Sequence, residues 1–301
     1  MKIEITTSLD LKESENSLLD MHSFLNMLNV LIFQYSQIGS IIGERGAIKS
    51  LIDLTLEIAE GLKDVSKTKG YLSNFAGIRQ KIQECLKKIE TDFPDKTSAT
   101  GFEKATTTIS SILDVMENSS VQWLDRMEAP EQWESVDIQS LLNNFSKVFS
   151  AIEQNSNGQY RIVDNIASQR DIDYFIRLDY TSVLGDQILM PAVIQDVMRD
   201  LILNARKYTP RGGQILAGLE NKGHSLRFVV QDNGIGIAPG EMEMVVEFGY
   251  RGKNVADKRT MGGGFGLTKA YAVTKRFGGR MWIESELDKG TTITIEIPLP
   301  D

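Results

Sequence analysis

The 301-residue sequence predicts an α+β protein, with an N-terminal helical hairpin or bundle followed by a two-layer α/β sandwich. Three observations carry that reading. Through residues 1–128 apolar side chains recur at steps of three and four, the spacing of a buried helix face. From about residue 138 the texture changes to short runs of alternating apolar and polar residues, interleaved with two helix-spaced segments. Hydrophobic residues make up 41% of the chain, enough for two domains of ordinary size, here bounded as 1–130 and 131–301.

Taken in order, Leu18, Met21, Leu25, Leu28, Ile32, Tyr35 and Ile42 trace a coiled-coil or bundle seam over about 11–42, with Gly39 where one more apolar residue is due. A second helical region over 48–89 carries Leu51, Leu54, Ile58 and Leu62, then Leu72, Phe75, Ile78, Ile82 and Leu86. Gly61 and Gly70 predict a kink or break within it. "TDFPDKTSATG" is a loop by composition and leads into a third helix over 102–127. After "EAPEQWES" a helix over 138–152 precedes strands at "YFIRLDYT", "QILAGLEN", "SLRFVVQD", "RMWIESE" and "TTITIEIPL", with helices over 191–208 and 265–277. "ENKG" reads as a hairpin turn. Trp123 and Trp133 flank the junction between the halves, where core or linker packing is their expected role.

Composition excludes several classes. The formal charge of −8 comes from 41 acids and 33 bases spread along the chain, with no basic block suited to a phosphate backbone, so no nucleic acid is expected. One cysteine, Cys85, cannot form an internal disulfide, and the opening "MKIEITTSLDLKESENS" has neither a signal core nor an Arg-rich transit pattern. The most apolar stretch, 27–33, is far shorter than the roughly 20 residues of a membrane span. These features predict a cytoplasmic chain with no membrane segment of its own.

Three short stretches carry candidate chemistry. "VVQDNGIGI" ends a strand on Asp232 and continues through Gly234 and Gly236, where a fixed carboxylate can accept from an exocyclic amine and the backbone can approach a ligand. A plain strand-ending turn is the competing reading. "MGGGFGLTKAYAVTKRFGG" places Gly262, Gly263, Gly264 and Gly266 before a helix with Leu267, Ala270, Tyr271 and Val273 on its apolar face. Unpaired N–H groups at such a helix start favour phosphate, although the stretch is neither a P-loop nor a dinucleotide fingerprint, and a mobile loop tip competes. "DVMRDLILNARKYTP" is a helix on which Asp200 and Asn204, four apart, share a face and can offer oxygen to Mg²⁺. Lys207 can meet a phosphate and Tyr208 can lie against a base; a solvated helix face is the alternative.

Together the three resemble the ATP-binding domain of sensor histidine kinases, within the superfamily that includes gyrase-type ATPases, Hsp90 and the mitochondrial dehydrogenase kinases. "NARKYTP" is similar to the family's asparagine motif, "DNGIGI" to its first glycine motif, "EFGYRG" to its phenylalanine motif and "GGGFGL" to its second glycine motif, in the family's order. The ending "FGGRMWIESELDKGTTITIEIPLP" resembles the domain's closing strands, and the resemblance covers about 135–301. It implies a pocket for ATP and Mg²⁺. Asp232 would recognise the adenine amine, Asn204 would hold the metal, and Lys207 and Tyr208 would line phosphates and base. Gly234, Gly236, Gly262, Gly264, Gly266 and Leu267 would shape the pocket and a lid over about 249–261, from which Arg251 and Lys253 would close on the γ-phosphate. Asp200 departs from the second asparagine of many histidine kinases. The gyrase and dehydrogenase-kinase branches place an acid there, and both a role toward the nucleophile and metal ligation stay open.

The family pairs this domain with a dimerising helical hairpin that presents a phosphorylated histidine. On a continuous heptad frame with Leu18 at a and Met21 at d, His22 falls at e, beside the seam and accessible. His22, Asn26 and Leu28 match the family's phosphoacceptor stretch, whereas Ser23 replaces the acid that would take the ring proton; Asp20 is a substitute. Asn26 could orient a water for dephosphorylation. The other histidine, His224, lies at a strand start. The expectation is a sensor histidine kinase of a two-component system, autophosphorylated on His22, homodimeric through the N-terminal helices, and donating to an aspartate on a response regulator receiver domain. The alternatives are an ATP-binding pseudokinase signalling by conformation, and a protein serine kinase of the same superfamily.

Overall fold

The structure is a computed structural model that describes every residue except 99, 130, 131, 157, 256–263 and 301, and the side chains of 154 and 155. It divides into a helical unit, Asp10–Pro130, and an α/β unit, which joins Met1–Leu9 to Glu131–Arg259 and Gly263–Asp301. The first nine residues, expected in the helical half, thus belong to the α/β unit.

Among the described residues the helical unit contains α1 (Glu13–Asp20), α2 (His22–Ile42), α3 (Lys49–Gly61), α4 (Val65–Ser73), α5 (Phe75–Asp92), α6 (Pro94–Thr97) and α7 (Thr100–Glu128). The predicted seam over 11–42 is two helices, not one, because the chain leaves helical geometry at Met21 (φ −96°, ψ 14°). Within α2 the buried row runs Phe24, Leu28, Leu31, Tyr35, Ile38 and Ile42. Gly39 lies in that row because a Cβ there would stand 2.8 Å from the Ile48 side chain, which fills the space. The second helical region breaks after Gly61 and again at Asn74, whereas Gly70 sits inside α4. Asp64 starts α4 by accepting from the Lys67 amide at 2.9 Å, satisfying one of the orphan donors of a helix start. Phe24, Phe75 and Trp123 form the aromatic centre of this core, with edge-on contacts at 5.9 and 5.3 Å. Trp123 is therefore core.

The α/β unit contains β1 (Lys2–Glu4), β2 (Trp133–Asp137), α8 (Ile138–Asn155), β3 (Ile162–Val163), β4 (Tyr174–Ser182), β5 (Gln187–Pro191), α9 (Ala192–Tyr208), β6 (Gln214–Asn221), β7 (Ser225–Asp232), α10 (Gly266–Arg276), β8 (Arg280–Glu286) and β9 (Gly290–Pro298). Among the described residues the main sheet has the order β1-β8-β9-β7-β6-β4-β3; β2 and β5 pair separately. Only β6–β4 and β4–β3 are parallel; α9 lies on the crossover between β4 and β6. Alternation aims Ile215, Ala217 and Leu219, then Leu226, Phe228 and Val230, then Ile293, Ile295 and Ile297 into one core. Leu141 and Phe145 of α8, Val197 and Leu201 of α9, and Ala270 and Val273 of α10 complete that core, giving the predicted helix layer on a sheet. No helix among the described residues is long and apolar enough to cross a membrane.

The three-residue β1 was not predicted. It pairs antiparallel with β8, Lys2 opposite Glu284 and Glu4 opposite Trp282. Ile5 then enters the core at 0% exposure, and the buried Tyr271 hydroxyl of α10 donates to the carbonyls of Ile5 and Thr7 at 3.2 and 2.8 Å.

Candidate functional site

Helix α9 packs Ile194, Val197, Met198, Leu201, Ile202 and Ala205 on the sheet, which carries Asp196, Asp200, Asn204 and Lys207 along one flank by steps of four, four and three. Asp196 and Asp200 are buried against α10, where Lys269 is 1% exposed and its Nζ lies 3.8 Å from an Oδ of each. Arg199 donates to the other Asp196 oxygen at 2.7 Å. One turn on, the Asn204 amide meets the start of α10, where a Cβ on Gly266 would stand 2.6 Å from Asn204 Nδ2. Asn204 needs glycine opposite it to occupy this place.

The carboxyl-terminal end of α9 is tied to the loop after β7. Ile235 N–H donates to the Tyr208 carbonyl at 3.1 Å, and Gln214 N–H donates to Asn233 Oδ1 at 2.8 Å. Asp232 Oδ1 accepts from Gly234 N–H at 2.8 Å. Burial pushes the Asp232 carboxyl up to about 6, against the backbone N–H groups of Gly234 and Thr291, which favour its charged form. Gly236 has φ +69°, and a Cβ there would come within 2.1 Å of the Glu286 carbonyl, so both conformation and space require glycine.

Lys207 Nζ stands 5.1 Å from the Tyr208 ring centroid. Burial, then the positive charges of Arg251 and Arg206, hold Lys207 below the usual lysine range. Burial also raises the Tyr208 phenol, with Arg251 opposing, so Lys207, Tyr208 and Arg251 share one electrostatic neighbourhood. Arg251 donates to the Val255 carbonyl at 3.0 Å, and Lys253 N–H and Tyr250 Oη both donate to the buried Glu241. Phe248 and Phe265 stack at 4.7 Å and Thr268 Oγ1 donates to the Glu247 carbonyl, joining the residues before the expected lid to the start of α10. Of the glycines expected to shape the pocket, Gly264, like Gly266 and Leu267, lies at that helix start, whereas Gly262 and the lid beyond residue 255 lie outside the described residues.

One candidate gains an unexpected neighbour, and one expectation needs correction. Asp200, offered with Asn204 as a metal ligand, lies 3.8 Å from the Nζ of the buried Lys269. His22, expected at an accessible e position, is the first residue of α2 and is only 7% exposed. The break at Met21 interrupts the heptad frame on which that position was assigned. The Asn26 amide nitrogen lies 3.1 Å from His22 Nε2, the one-turn spacing of the two residues. Asn204 fits a cation better, since its amide oxygen makes no hydrogen bond among the described residues. No group of three or more His, Cys, Asp or Glu that could hold a metal is found among them.

Lys269 and Glu241 were missed. A lysine on an amphipathic helix reads as solvent-facing, and the only local sign is that Lys269 lies between the apolar Leu267 and Ala270. The complementary sign is remote: two acids four apart on α9, the helix that α10 packs against.

Acidic and amide groups on one helix, a carboxylate at a strand end and a helix start built on Gly264 and Gly266 thus lie within one α/β unit. Residues 191–301 match the family described as "Histidine kinase-, DNA gyrase B-, and HSP90-like ATPase", and this part of the chain is a histidine kinase-type ATPase domain. Histidine protein kinase DivJ of Caulobacter vibrioides is 36% identical over 106 residues, covering 35% of this chain and 18% of DivJ. Sensor-like histidine kinase SenX3 of Mycobacterium tuberculosis is 33% identical over 135 residues, 44% of this chain and 32% of its own. Sensor histidine kinase WalK of Bacillus subtilis is 33% identical over 127 residues, 40% and 21% respectively. The chain thus spans less than a third of the length of these relatives. Among solved structures, the catalytic domain of histidine kinase ThkA gives a TM-score of 0.40 at 19% identity, over 56% of this chain and 97% of that one.

Proposed function

We propose that the chain is the kinase core of a two-component sensor: it binds ATP with Mg²⁺, transfers the γ-phosphoryl group to His22, and passes it to an aspartate of a response regulator. The observation that supports this most is the joining of the asparagine helix to the first glycine loop, where Ile235 N–H donates to the Tyr208 carbonyl and Gly234 N–H to Asp232 Oδ1, so the end of α9 and the strand-end carboxylate meet at one loop. Asp232 accepts from the adenine amine while Tyr208 lies against the base. Lys207 and Arg251 neutralise phosphate charge, which is most of what an enzyme contributes to phosphoryl transfer. Asn204 holds Mg²⁺, which when bound offsets charge on the phosphate oxygens. One imidazole nitrogen of His22 attacks the γ-phosphorus, the bond to the β,γ-bridging oxygen breaks, ADP leaves, and the other nitrogen releases its proton to a carboxylate such as Asp20. The helical unit dimerises and presents His22; Asn26 orients a water that hydrolyses the regulator's aspartyl phosphate, releasing inorganic phosphate and the free aspartate.

A second reading, an ATP-binding scaffold without phosphotransfer, is favoured by the burial of His22 and by Ser23 in place of an acid. Autophosphorylation with γ-labelled ATP separates the two. Acid-labile label on the native chain, lost in His22→Ala and in Asn204→Ala, is the expected result. A chain that binds ATP and never takes label supports the scaffold, and acid-stable label points to a serine kinase.

A further inference from the structure

Four charged groups meet where α9 packs against α10. Asp196 and Asp200 contribute two negative charges, and Lys269 with Arg199 contributes two positive ones. Asp196, Asp200 and Lys269 are 6%, 9% and 1% exposed. Lys269 Nζ lies 3.8 Å from both carboxylates, and among the described residues neither it nor Asp200 Oδ2 has a hydrogen-bond partner. An ammonium this deep survives only beside opposite charge, and withdrawing one member of a buried pair is strongly destabilising. Asp196 is already engaged by Arg199 at 2.7 Å, so Asp200 is the carboxylate on which Lys269 most depends.

The register of the two helices gives this pairing a consequence for the nucleotide site. Gly266 of α10 abuts Asn204, and Lys269, three residues on, abuts Asp200, four residues before Asn204. One helix therefore leaves the Asn204 amide open and covers the Asp200 carboxylate with a cation. We propose that Lys269 sets the metal ligation of this site: its ammonium occupies the cation's place beside Asp200 and keeps that carboxylate out of the metal's coordination, so Asn204 is the ligand from α9. The inference rests on the nucleotide-site reading above and adds to it. With a neutral amide as ligand, the metal arrives with the nucleotide's phosphates; the free protein holds it weakly, since divalent cations of this kind favour carboxylate oxygen.

The test measures Mn²⁺ binding to the full chain by loss of the free-ion electron paramagnetic resonance signal, with and without ADP. Four variants are compared with the native chain: Asp200→Asn, Lys269→Met, the double variant and Lys269→Arg. We expect Asp200→Asn to change Mn²⁺ affinity in the presence of ADP by less than about twofold. We expect Lys269→Met to gain about tenfold or more, by freeing a carboxylate, with the gain also present without nucleotide and abolished in the double variant. Lys269→Arg should match the native chain. A tenfold loss in Asp200→Asn overturns the proposal, as does a folded Lys269→Met with native Mn²⁺ affinity. If Lys269→Met does not fold, Asp200→Asn and the double variant still decide: near-native affinity in both supports the proposal and a tenfold loss in Asp200→Asn removes it. Failure of ADP to bind the native chain would count against the nucleotide reading alone, because the Mn²⁺ measurements without nucleotide still report on Lys269.

Discussion

On the Asp232 carboxyl, burial disfavours charge while two backbone N–H groups favour it, and burial wins, raising the group to about 6. The folded chain thus binds a proton there more tightly than the unfolded chain. This carboxyl costs stability progressively as pH rises from about 4 through about 6, with the full cost above that window. A ligand N–H reverses the preference, because only the ionised group is a pure acceptor. Adenine-nucleotide affinity should therefore be level between pH 8 and 7 and fall by up to about tenfold per pH unit below about 6, read by calorimetry. Asp232→Asn should flatten that profile and weaken binding at neutral pH; native affinity in the variant would remove Asp232 from base recognition. Gly266 gives a second expectation. Alanine is the better helix residue by about 1 kcal/mol, yet its Cβ would displace the Asn204 amide. Gly266→Ala should keep or raise the melting temperature while metal-dependent nucleotide binding drops about tenfold or more. Asp232, Asn204 and Gly266 were recognisable as candidates because their signals are local, a few residues around a turn or along one helix. Lys269 was not, because its partners lie on another helix some seventy positions earlier, at Asp196 and Asp200.

Among the elements, β1 shows how little sequence a strand needs when a neighbour supplies the order. Lys2–Glu4 is too short for alternation to register, and its partner β8 is remote in the chain. Its value lies in the residues just after it, the buried Ile5 and the carbonyls that receive the Tyr271 hydroxyl. Ile5→Ala should cost about 2–5 kcal/mol in urea unfolding of the α/β unit, the range for truncating a buried aliphatic side chain. A cost below about 0.5 kcal/mol would mean that the segment is only loosely held. The longer strands β4, β6, β7, β8 and β9 were legible because five or more alternating residues exceed what chance arrangement gives. The break between α1 and α2 was not, since Met21 fits both an apolar seam and a helix end, and only the tertiary path selects between them.

At the scale of the molecule, each unit has a core of its own, one around Phe24, Phe75 and Trp123 and one between the sheet and α8, α9 and α10. Two unfolding transitions are expected, with Trp123 reporting on the helical unit and Trp133 and Trp282 on the α/β unit. In single-tryptophan variants, a nucleotide should shift only the transition seen by Trp133 and Trp282; one coincident transition at every tryptophan would contradict two separate cores. The change of periodicity near residue 130 falls where the chain passes from the helical unit to the α/β unit, but the return of the amino-terminal segment to the second unit left no mark in the sequence, because nothing in nine residues names a partner so distant. That return has a consequence in time. Met1 bonds to Ser285, 284 positions away, so the opening strand leaves the ribosome long before the strand that receives it exists. The helices between them can pack while synthesis continues, but the sheet edge stays open until nearly all of this sequence has been made. The α/β unit thus reaches its final form only after the helical unit has been translated, and a chain stalled before β8 would carry its first strand unpaired.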